Sequence, residues 1–168
     1  MMGSIKVADV CDANLELVES GDIRILQPIF NVYGKRRAFS GPIFTLKAFE
    51  HNVGVKELLE TKGKGRVLFI DGGGSMRIAL VGEILCSLAQ KSGWAGIVVN
   101  GCIRDVDEIN DGCDIGVRAL ASHPRKPGKK GTTEEHVPIH VGGTVIHDGE
   151  WLYADGDGIL VSKTQLSL

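Results

Sequence analysis

Hydrophobic and polar positions follow three successive patterns through the middle of the chain. A mostly apolar run from Arg66 to Asp71 ends in glycines and is typical of a buried strand. From Ile78 to Ala89 the apolar residues recur with a period of about 3.6, which predicts an amphipathic helix with Gly93 as its carboxyl-terminal cap. A second apolar run, "AGIVVNG", follows. Together they predict a β-α-β unit with parallel strands and a right-handed crossover.

Shorter patterns on both sides extend this unit into a larger fold. Before it, "VADVCDANLEL" has helical spacing, "IRILQPIFNVYG" has strand-like runs, and "VGVKELLETKGKG" predicts a short helix that ends at Gly63. After it, "DIGVRALASHP" predicts a third strand, and residues 137–162 predict hairpin strands separated by Gly and Asp. No repeat or linker divides the sequence. We therefore expect a single α/β domain over residues 1–168 with a substantial non-parallel β part.

Composition and charge narrow the classes of partner. The 19 basic and 21 acidic residues give a formal charge of −2, so no overall field attracts nucleic acid or an anionic membrane. No apolar run approaches the roughly 18 to 20 residues of a membrane helix. The sequence start also lacks the apolar segment of a signal peptide. These features predict a cytoplasmic protein that binds a small molecule or another protein.

The cysteines and histidines lack the spacing of metal sites. There is no C-x-x-C pair and no H-E-x-x-H motif. The cysteines are Cys11, Cys86, Cys102 and Cys113. We expect reduced thiols, and we expect His136, His140 and His147 to be structural residues of a hairpin.

Two segments invite a phosphate-binding interpretation. In "IDGGGSMR" glycines follow a strand, but Arg77 stands where a dinucleotide fingerprint and a nucleophile elbow would each need glycine. A tight turn is the favoured interpretation, with nucleotide binding as the alternative. In "HPRKPGKKG", His123 to Gly131, one arginine and three lysines occur without an aromatic residue for base stacking. This segment predicts a solvated loop rather than a phosphate or nucleic-acid site.

Charged residues directly follow the second strand, in "GCIRDVDEIN". Ligands of open α/β sheets bind at the carboxyl ends of the strands, where residues 71–74, 82–85 and 100–105 would meet. If residues 75–81 are irregular and the helix begins near Gly82, free N–H groups could bind a carboxylate. Those groups belong to Gly82, Glu83, Ile84 and Leu85.

Arg104 and Asp105 would complete such a site. The planar guanidinium of Arg104 could bind the same small anion. Asp105 offers a hard oxygen ligand for Mg²⁺ or Mn²⁺, which usually takes one or two protein carboxylates and keeps several waters. Glu83, Asp107 and Glu108 could orient those waters. The alternative is that Arg104 and Asp105 are turn residues that form surface ion pairs.

One arrangement of these residues resembles a known family. Glu83, twenty intervening residues, Arg104-Asp105, two more residues and Glu108 are similar to the acidic-x20-R-D-x2-E/D signature of the 4-hydroxy-4-methyl-2-oxoglutarate aldolases. The stretch "DGGGSMRIALVGEILCSLAQKSGWAGIVVNGCIRDVDEI" also resembles the related regulator of ribonuclease activity A. The likeness continues in "DIGVRALASHP" and "LYADGDGILVS" and covers most of the chain from Val67 onward.

The resemblance implies a swivelling β/β/α domain, a homotrimer with sites between subunits, and a magnesium- or manganese-dependent class II aldolase. It implies that Gly82 to Leu85 and Arg104 bind the pyruvyl group, that Asp105 binds the metal, and that Glu83 acts through a metal-bound water. The implied reaction cleaves 4-hydroxy-4-methyl-2-oxoglutarate to two pyruvates, with oxaloacetate decarboxylation as a second activity. The alternative is a non-catalytic regulator that binds an endoribonuclease. The aspartate in the R-D pair favours the lyase.

Overall fold

The computed structural model describes residues 4–168, which contain five helices and twelve strands. The helices are α1 (Val7–Ala13), α2 (Leu15–Ser20), α3 (Val55–Glu60), α4 (Glu83–Lys91) and α5 (Val106–Gly112). The first strands are β1 (Ile23–Ile25), β2 (Asn31–Tyr33), β3 (Phe39–Lys47), β4 (Val67–Asp71), β5 (Ala79–Val81) and β6 (Gly96–Ile103). The others are β7 (Gly116–Ser122), β8 (Glu134–Glu135), β9 (Ile139–Val141), β10 (Thr144–Ile146), β11 (Trp151–Ala154) and β12 (Ile159–Ser162).

Ten of these strands form one mixed sheet with a parallel centre. The order is β1-β12-β11-β3-β4-β6-β7-β2, with β5 beside β6 and β8 beside β3, while β9 and β10 form a separate hairpin. Strands β3, β4, β6 and β7 are parallel, and the outer strands β2 and β11 pair with them in antiparallel fashion. The predicted β-α-β unit is therefore confirmed, because β4 and β6 pair directly in parallel on either side of α4 in the sequence.

Apolar residues cover both faces of the central strands. On one face Leu68, Ile70, Ile97 and Val99 pack in a cluster with residues of α3, α4 and α5. On the other face Phe69 and Val98 pack with Ile139, Val141 and Ile146 of the hairpin strands. Strands buried on both faces need apolar residues at consecutive positions, which explains the uninterrupted runs in the sequence.

The helix between the two strands is shorter than the periodicity predicted. It begins at Glu83, so the predicted start near Gly82 is confirmed, but residues 79–81 form strand β5 instead of helix or irregular chain. The reason is that β6 continues beyond the end of β4, and β5 pairs in parallel with this extension at Cys102 and Ile103. The helix ends as expected, with Gly93 in the left-handed conformation (φ 86°) shortly after Lys91.

The predicted end of the third helix at Gly63 is wrong. Helix α3 ends at Glu60, because Thr61 is already extended (φ −73°, ψ 161°) and its hydroxyl donates to the carbonyl of Leu58 at 2.6 Å. Glycine is needed at position 63 for another reason, because a Cβ atom there would lie 2.3 Å from the backbone nitrogen of Trp94. The glycine therefore allows this loop to approach the chain after α4.

Two further features agree with the sequence. Within residues 4–168 no helix is long and apolar enough to cross a membrane. In the same range the four cysteines are all unpaired, and Cys86, Cys102 and Cys113 are buried.

Candidate active site

The charged residues after β6 lie beside the start of helix α4. The backbone N–H of Arg104 donates to the carbonyl of Val81 at 3.0 Å, which continues the pairing of β5 with β6 by one residue. Beyond this bond the two segments diverge: the one after β5 enters α4, and the one after β6 enters α5. The short strand β5 is therefore the element that places Gly82 and Glu83 next to Arg104 and Asp105.

Asp105 connects these two segments directly. Its Oδ2 accepts a hydrogen bond of 3.0 Å from the backbone N–H of Glu83, so it caps α4 from a neighbouring loop. The approach requires glycine at position 82, because a Cβ atom there would lie 2.5 Å from the same oxygen. Asp105 is exposed, has a left-handed backbone (φ 61°, ψ 42°), and its Oδ1 makes no hydrogen bond within residues 4–168. One carboxylate oxygen thus holds the fold and the other faces outward.

The start of α4 offers fewer free donors than the sequence predicted. The first intrahelical bond runs from the N–H of Cys86 to the carbonyl of Gly82 at 3.1 Å, so the N–H groups of residues 83–85 precede the helical ladder. Asp105 already occupies that of Glu83. The donors of Ile84 and Leu85 remain at the positive end of the helix dipole, and the Ile84 side chain is 73% exposed. A small carboxylate could bind these two groups.

The side chains of Glu83 and Arg104 each make a single hydrogen bond within residues 4–168. Glu83 is half-buried, and its Oε1 accepts a hydrogen bond of 2.9 Å from Ser87 Oγ, one turn further along α4. Among the described residues, the guanidinium of Arg104 reaches only the carbonyl of Pro124, at 3.5 Å. Most donors of the Arg104 fork are therefore available to an anion. Asp107 and Glu108 lie exposed in the first turn of α5, and no contact joins them to Glu83 in the described chain.

The donor set fits a hard cation better than zinc. Within residues 4–168 no cluster of three or more His, Cys, Asp or Glu side chains could enclose a metal ion. Structural zinc sites need such a cluster, whereas Mg²⁺ and Mn²⁺ are commonly held by one or two carboxylates with waters and substrate oxygens. The Oδ1 atom of Asp105 could serve as a ligand of this second kind.

The glycine-rich segment after β4 is a tight turn, as the favoured interpretation predicted. The N–H groups of Gly72 and Gly74 donate to the carbonyl of Asn100, and that of Gly73 donates to Oδ1 of Asp71 at 2.9 Å. The Asn100 amide donates to the same carboxylate oxygen at 2.9 Å. These N–H groups are consumed internally, so the turn has none to offer to a phosphate.

The predicted solvated loop, His123 to Gly131, is mostly exposed, and it also contributes to a cavity of about 520 Å³. Its charged lining residues are Glu50, Arg77, Arg125 and Lys126. The sequence did not predict this cavity, because Glu50 and Arg77 belong to segments far from the loop along the chain. The run of basic residues was the only signal, and it does not show which surface the loop faces.

The histidines of the hairpin region are exposed and lie outside this site. His136 Nδ1 is 2.9 Å from Oδ2 of Asp148, and its ring lies 4.5 Å from that of Phe44. His140 and His147 are also exposed. The contacts of His136 agree with the structural role that the sequence predicted, and for His140 and His147 that role stays a prediction.

Three comparisons show what this chain is similar to. A family description, "RraA-like: Aldolase/RraA", matches residues 7–161. An Arabidopsis thaliana protein provisionally named 4-hydroxy-4-methyl-2-oxoglutarate aldolase 3 is 66% identical over 167 residues, which cover 99% of this chain and 100% of that protein. Two solved structures have a TM-score of 0.89. One is described as the S-adenosylmethionine: 2-dimethylmenaquinone methyltransferase from Geobacillus kaustophilus (41% identity, covering 96% of this chain and 97% of that one). The other is the RNA-processing inhibitor RraA from Thermus thermophilis (39% identity, covering 98% and 96%).

Proposed function

Because this chain belongs to the RraA-like family, we propose that it is a divalent-metal-dependent lyase that cleaves 4-hydroxy-4-methyl-2-oxoglutarate to two molecules of pyruvate. The observation that carries the proposal is the pairing of Asp105 with the start of α4. One oxygen of this carboxylate is fixed by the N–H of Glu83, and the other is directed outward beside the loosely held Arg104. The provisional names of the relatives support the same class of reaction.

Each residue of the site has a distinct role in this reaction. Asp105 would hold Mg²⁺ or Mn²⁺, and the bound ion would supply Lewis-acid polarisation of the substrate's 2-oxo group. The N–H groups of Ile84 and Leu85 bind the adjacent carboxylate together with the Arg104 fork. These contacts fix the bond between C3 and C4 relative to Glu83.

Bond cleavage begins at the C4 hydroxyl. A water held by Glu83 accepts the hydroxyl proton while it passes one of its own protons to the Glu83 carboxylate, the bond between C3 and C4 breaks, and C4 becomes the oxo carbon of the first pyruvate. The electron pair of the broken bond passes to the C2 oxygen and forms the enolate of the second pyruvate, which Arg104 stabilises. Protonation at C3 then completes the second product. Decarboxylation of oxaloacetate passes through the same enolate, so we propose it as a second activity.

Pyruvate release with and without metal tests the proposal. We expect release from both 4-hydroxy-4-methyl-2-oxoglutarate and oxaloacetate with Mg²⁺ or Mn²⁺, and its loss with a chelator. Binding of Mn²⁺, measured by its paramagnetic resonance signal, should require Asp105. A methyltransferase, the activity for which the Geobacillus protein is named, would release pyruvate from neither acid. The absence of metal-dependent release from either acid would contradict the proposal.

A second candidate is regulation of an endoribonuclease through binding. The 39% identity to the Thermus RNA-processing inhibitor supports it. A regulator without catalysis would inhibit RNA cleavage equally with Arg104 intact or replaced by lysine. Inhibition that follows substitutions on the outer surface, with no release of pyruvate, would favour this function over the lyase.

We propose that the chain assembles as a homotrimer. Three large apolar side chains are exposed: Ile84 (73%) in the first turn of α4, Met76 (52%) before β5, and Phe49 (58%) after β3. Burial of such residues between subunits would be favourable. Sedimentation equilibrium should give three times the 18.0 kDa mass of the chain, and a monomer over the assay range would contradict this arrangement.

A further inference from the structure

The segment from His123 to Gly131, here called the basic loop, is fastened to the body of the protein close to the candidate site. Three backbone hydrogen bonds of 2.8–2.9 Å hold it, from His123 N–H to Ile103, from Ala79 N–H to Arg125 and from Gly128 N–H to Glu50. The first two bonds attach the loop to the end of β6 and the start of β5, the strands that position Arg104 and Gly82. The guanidinium of Arg104 also points to the carbonyl of Pro124. The loop therefore has a defined position next to the site.

The loop and the body line an open cavity with an excess of positive charge. Among the described residues Glu50 contributes the only carboxylate of its lining, and both oxygens of this group are hydrogen-bonded. Arg77 donates to both of its oxygens at 2.6 Å, and Ser75 Oγ donates to Oε2 at 2.6 Å. These hydrogen bonds, first from Arg77 and then from Ser75, hold the pKa of Glu50 below its ordinary value. Glu50 therefore stays ionised and pairs directly with Arg77, while its charge also acts on Arg125 from further away.

The other two cations of the cavity have no ion-pair partner in the part of the chain that the structure describes. The side chains of Arg125 and Lys126 form no ion pair or hydrogen bond within residues 4–168. Two adjacent cations on a fixed loop repel one another, and a carboxylate between them would relieve that repulsion. Arg125 can also bind a carboxylate through two parallel N–H groups. The cavity is thus suited to an anionic group of carboxylate size.

We propose that this cavity is a subsite for the distal carboxylate of a dicarboxylic 2-oxo acid, bound by Arg125 and Lys126. The inference rests on the proposed function, in which Arg104 and the start of α4 bind the 2-oxo end of the same substrate. 4-Hydroxy-4-methyl-2-oxoglutarate carries a second carboxylate on C4, beyond the bond that breaks, whereas the second carboxylate of oxaloacetate is the group that decarboxylation removes. The loop that touches Arg104 through Pro124 would then recognise the far end of the molecule. The protein would then bind a dicarboxylic 2-oxo acid more tightly than a monocarboxylic 2-oxo acid that differs from it only in the distal carboxylate.

A matched pair of variants tests this subsite. Arg125→Ala with Lys126→Ala removes the two cavity cations, whereas Lys129→Ala with Lys130→Ala removes the same charge from exposed loop positions outside the cavity lining. The probes are 2-oxoglutarate and 2-oxobutanoate, which share the 2-oxo end and differ in the distal carboxylate. Dissociation constants from calorimetry with Mg²⁺ present report binding without any need for turnover. Melting temperatures confirm that each variant is folded.

The expected result separates the subsite from simple electrostatic attraction. The first double variant should weaken 2-oxoglutarate binding about 10- to 100-fold, as expected for lost hydrogen bonds between charged groups, and change 2-oxobutanoate binding less than about twofold. The second double variant should change neither by more than about threefold. Equal weakening of both acids by the first variant, an equal effect of the two variants on 2-oxoglutarate, or no effect at all would overturn the proposal.

Turnover distinguishes a failure of this inference from a failure of the proposed lyase. The kcat/KM of the first double variant should fall for 4-hydroxy-4-methyl-2-oxoglutarate and stay unchanged for 4-hydroxy-2-oxopentanoate, which lacks the distal carboxylate. If the wild type cleaves neither acid but binds 2-oxoglutarate through Arg125 and Lys126, the lyase fails and the subsite stands. If the wild type cleaves both acids with equal kcat/KM and the double variants have the same values, the proposed lyase activity is supported and the proposed subsite is contradicted.

Discussion

Asp105 and Asp148 both accept a backbone N–H from a distant element, but only one of them is left with a free oxygen within residues 4–168. Asp148 Oδ1 accepts the N–H of Thr45 at 2.9 Å, and its Oδ2 lies 2.9 Å from Nδ1 of His136. Asp105 accepts the N–H of Glu83 through Oδ2 alone. A left-handed residue with φ of 61° occurs in each group, Asp105 itself in one and His136 in the other.

The difference shows that similar local geometry can leave a carboxylate with both oxygens bonded in one place and with one oxygen available to a ligand in another. A carboxylate with both oxygens satisfied has little capacity to bind a ligand, so Asp148 fastens the hairpin region to β3. Asp105 has an unfavourable left-handed backbone, and among the described residues its Oδ1 forms no hydrogen bond that would offset this cost. Strained residues of this kind concentrate at functional sites. The outward oxygen, more than the residue type, distinguishes the candidate site.

Asp105→Asn should have the largest effect. The amide oxygen can still accept the N–H of Glu83, and asparagine tolerates a left-handed backbone, so the free energy of unfolding should fall by less than about 1 kcal/mol. Loss of the negative ligand should lower metal-dependent pyruvate release by more than about 100-fold, beyond the usual cost of losing an outer partner of a metal ligand. Release rates and Mn²⁺ binding measure this.

Two control variants sharpen this result. Asp105→Ala removes the cap of α4 as well, so it should cost about 1 kcal/mol of stability and still leave a folded protein without activity. Asp148→Asn should keep wild-type turnover. If Asp105→Asn and Asp148→Asn had equal activity, the distinction between the two carboxylates would be lost, and Asp105 would be a turn residue.

Arg104→Lys should have the next largest effect. Lysine keeps the charge but loses the planar fork, so binding of the substrate carboxylate and of the developing enolate should weaken while the metal still binds at Asp105. By analogy with removal of oxyanion donors, we expect kcat/KM to fall about 30- to 1,000-fold. Arg36→Lys, at an exposed pair with Asp114, is the control and should change kcat/KM by less than about twofold. A measurable wild-type rate that Arg104→Lys leaves unchanged would remove Arg104 from the mechanism.

The parts of the fold that could be predicted are those with local causes. The apolar runs of β4 and β6 and the glycine beyond the end of α4 are visible in short windows of sequence. Strand β5 was missed because Ile78, Leu80 and Val81 continue the helical period of α4 by coincidence. Only the extension of β6, which offers them a partner strand, decides their conformation.

The candidate site was predictable in its residues but not in its contacts. Glu83, Arg104 and Asp105 were identified from their spacing and the family resemblance. The bond from Glu83 N–H to Asp105 spans 22 positions and removes the Glu83 donor from the expected anion cradle of residues 82–85. The fastening of the basic loop depends in the same way on distant backbone groups. No periodicity or motif reports such contacts.

Asp148→Ala should affect stability and leave activity unchanged. Thr45 is 0% exposed, and its N–H would lose its acceptor, so the free energy of unfolding should fall by about 1–3 kcal/mol. His136→Ala removes only the exposed partner and should cost less than about 1 kcal/mol. Urea denaturation gives both values, and pyruvate release should stay within about twofold of wild type. A larger loss of activity than of stability would place Asp148 in the chemistry.

Cys102→Ser should have the smallest effect, although Cys102 is only two residues from Arg104. The thiol is 1% exposed and donates to the Met76 sulfur at 3.3 Å, and burial raises its pKa above the ordinary value of 9.0. A thiol with a raised pKa stabilises the fold below about pH 9 and loses that contribution as the pH rises further, so it stays protonated between pH 6 and 8. It therefore supplies neither a nucleophile nor a pH dependence in that range.

For Cys102→Ser we expect kcat/KM within about threefold of wild type, an unchanged pH profile from 6 to 8, and a stability cost of about 1–3 kcal/mol from burying a hydroxyl. Cys102→Ala avoids that buried hydroxyl, so a loss of activity shared by both folded variants would show that the thiol takes part in the reaction.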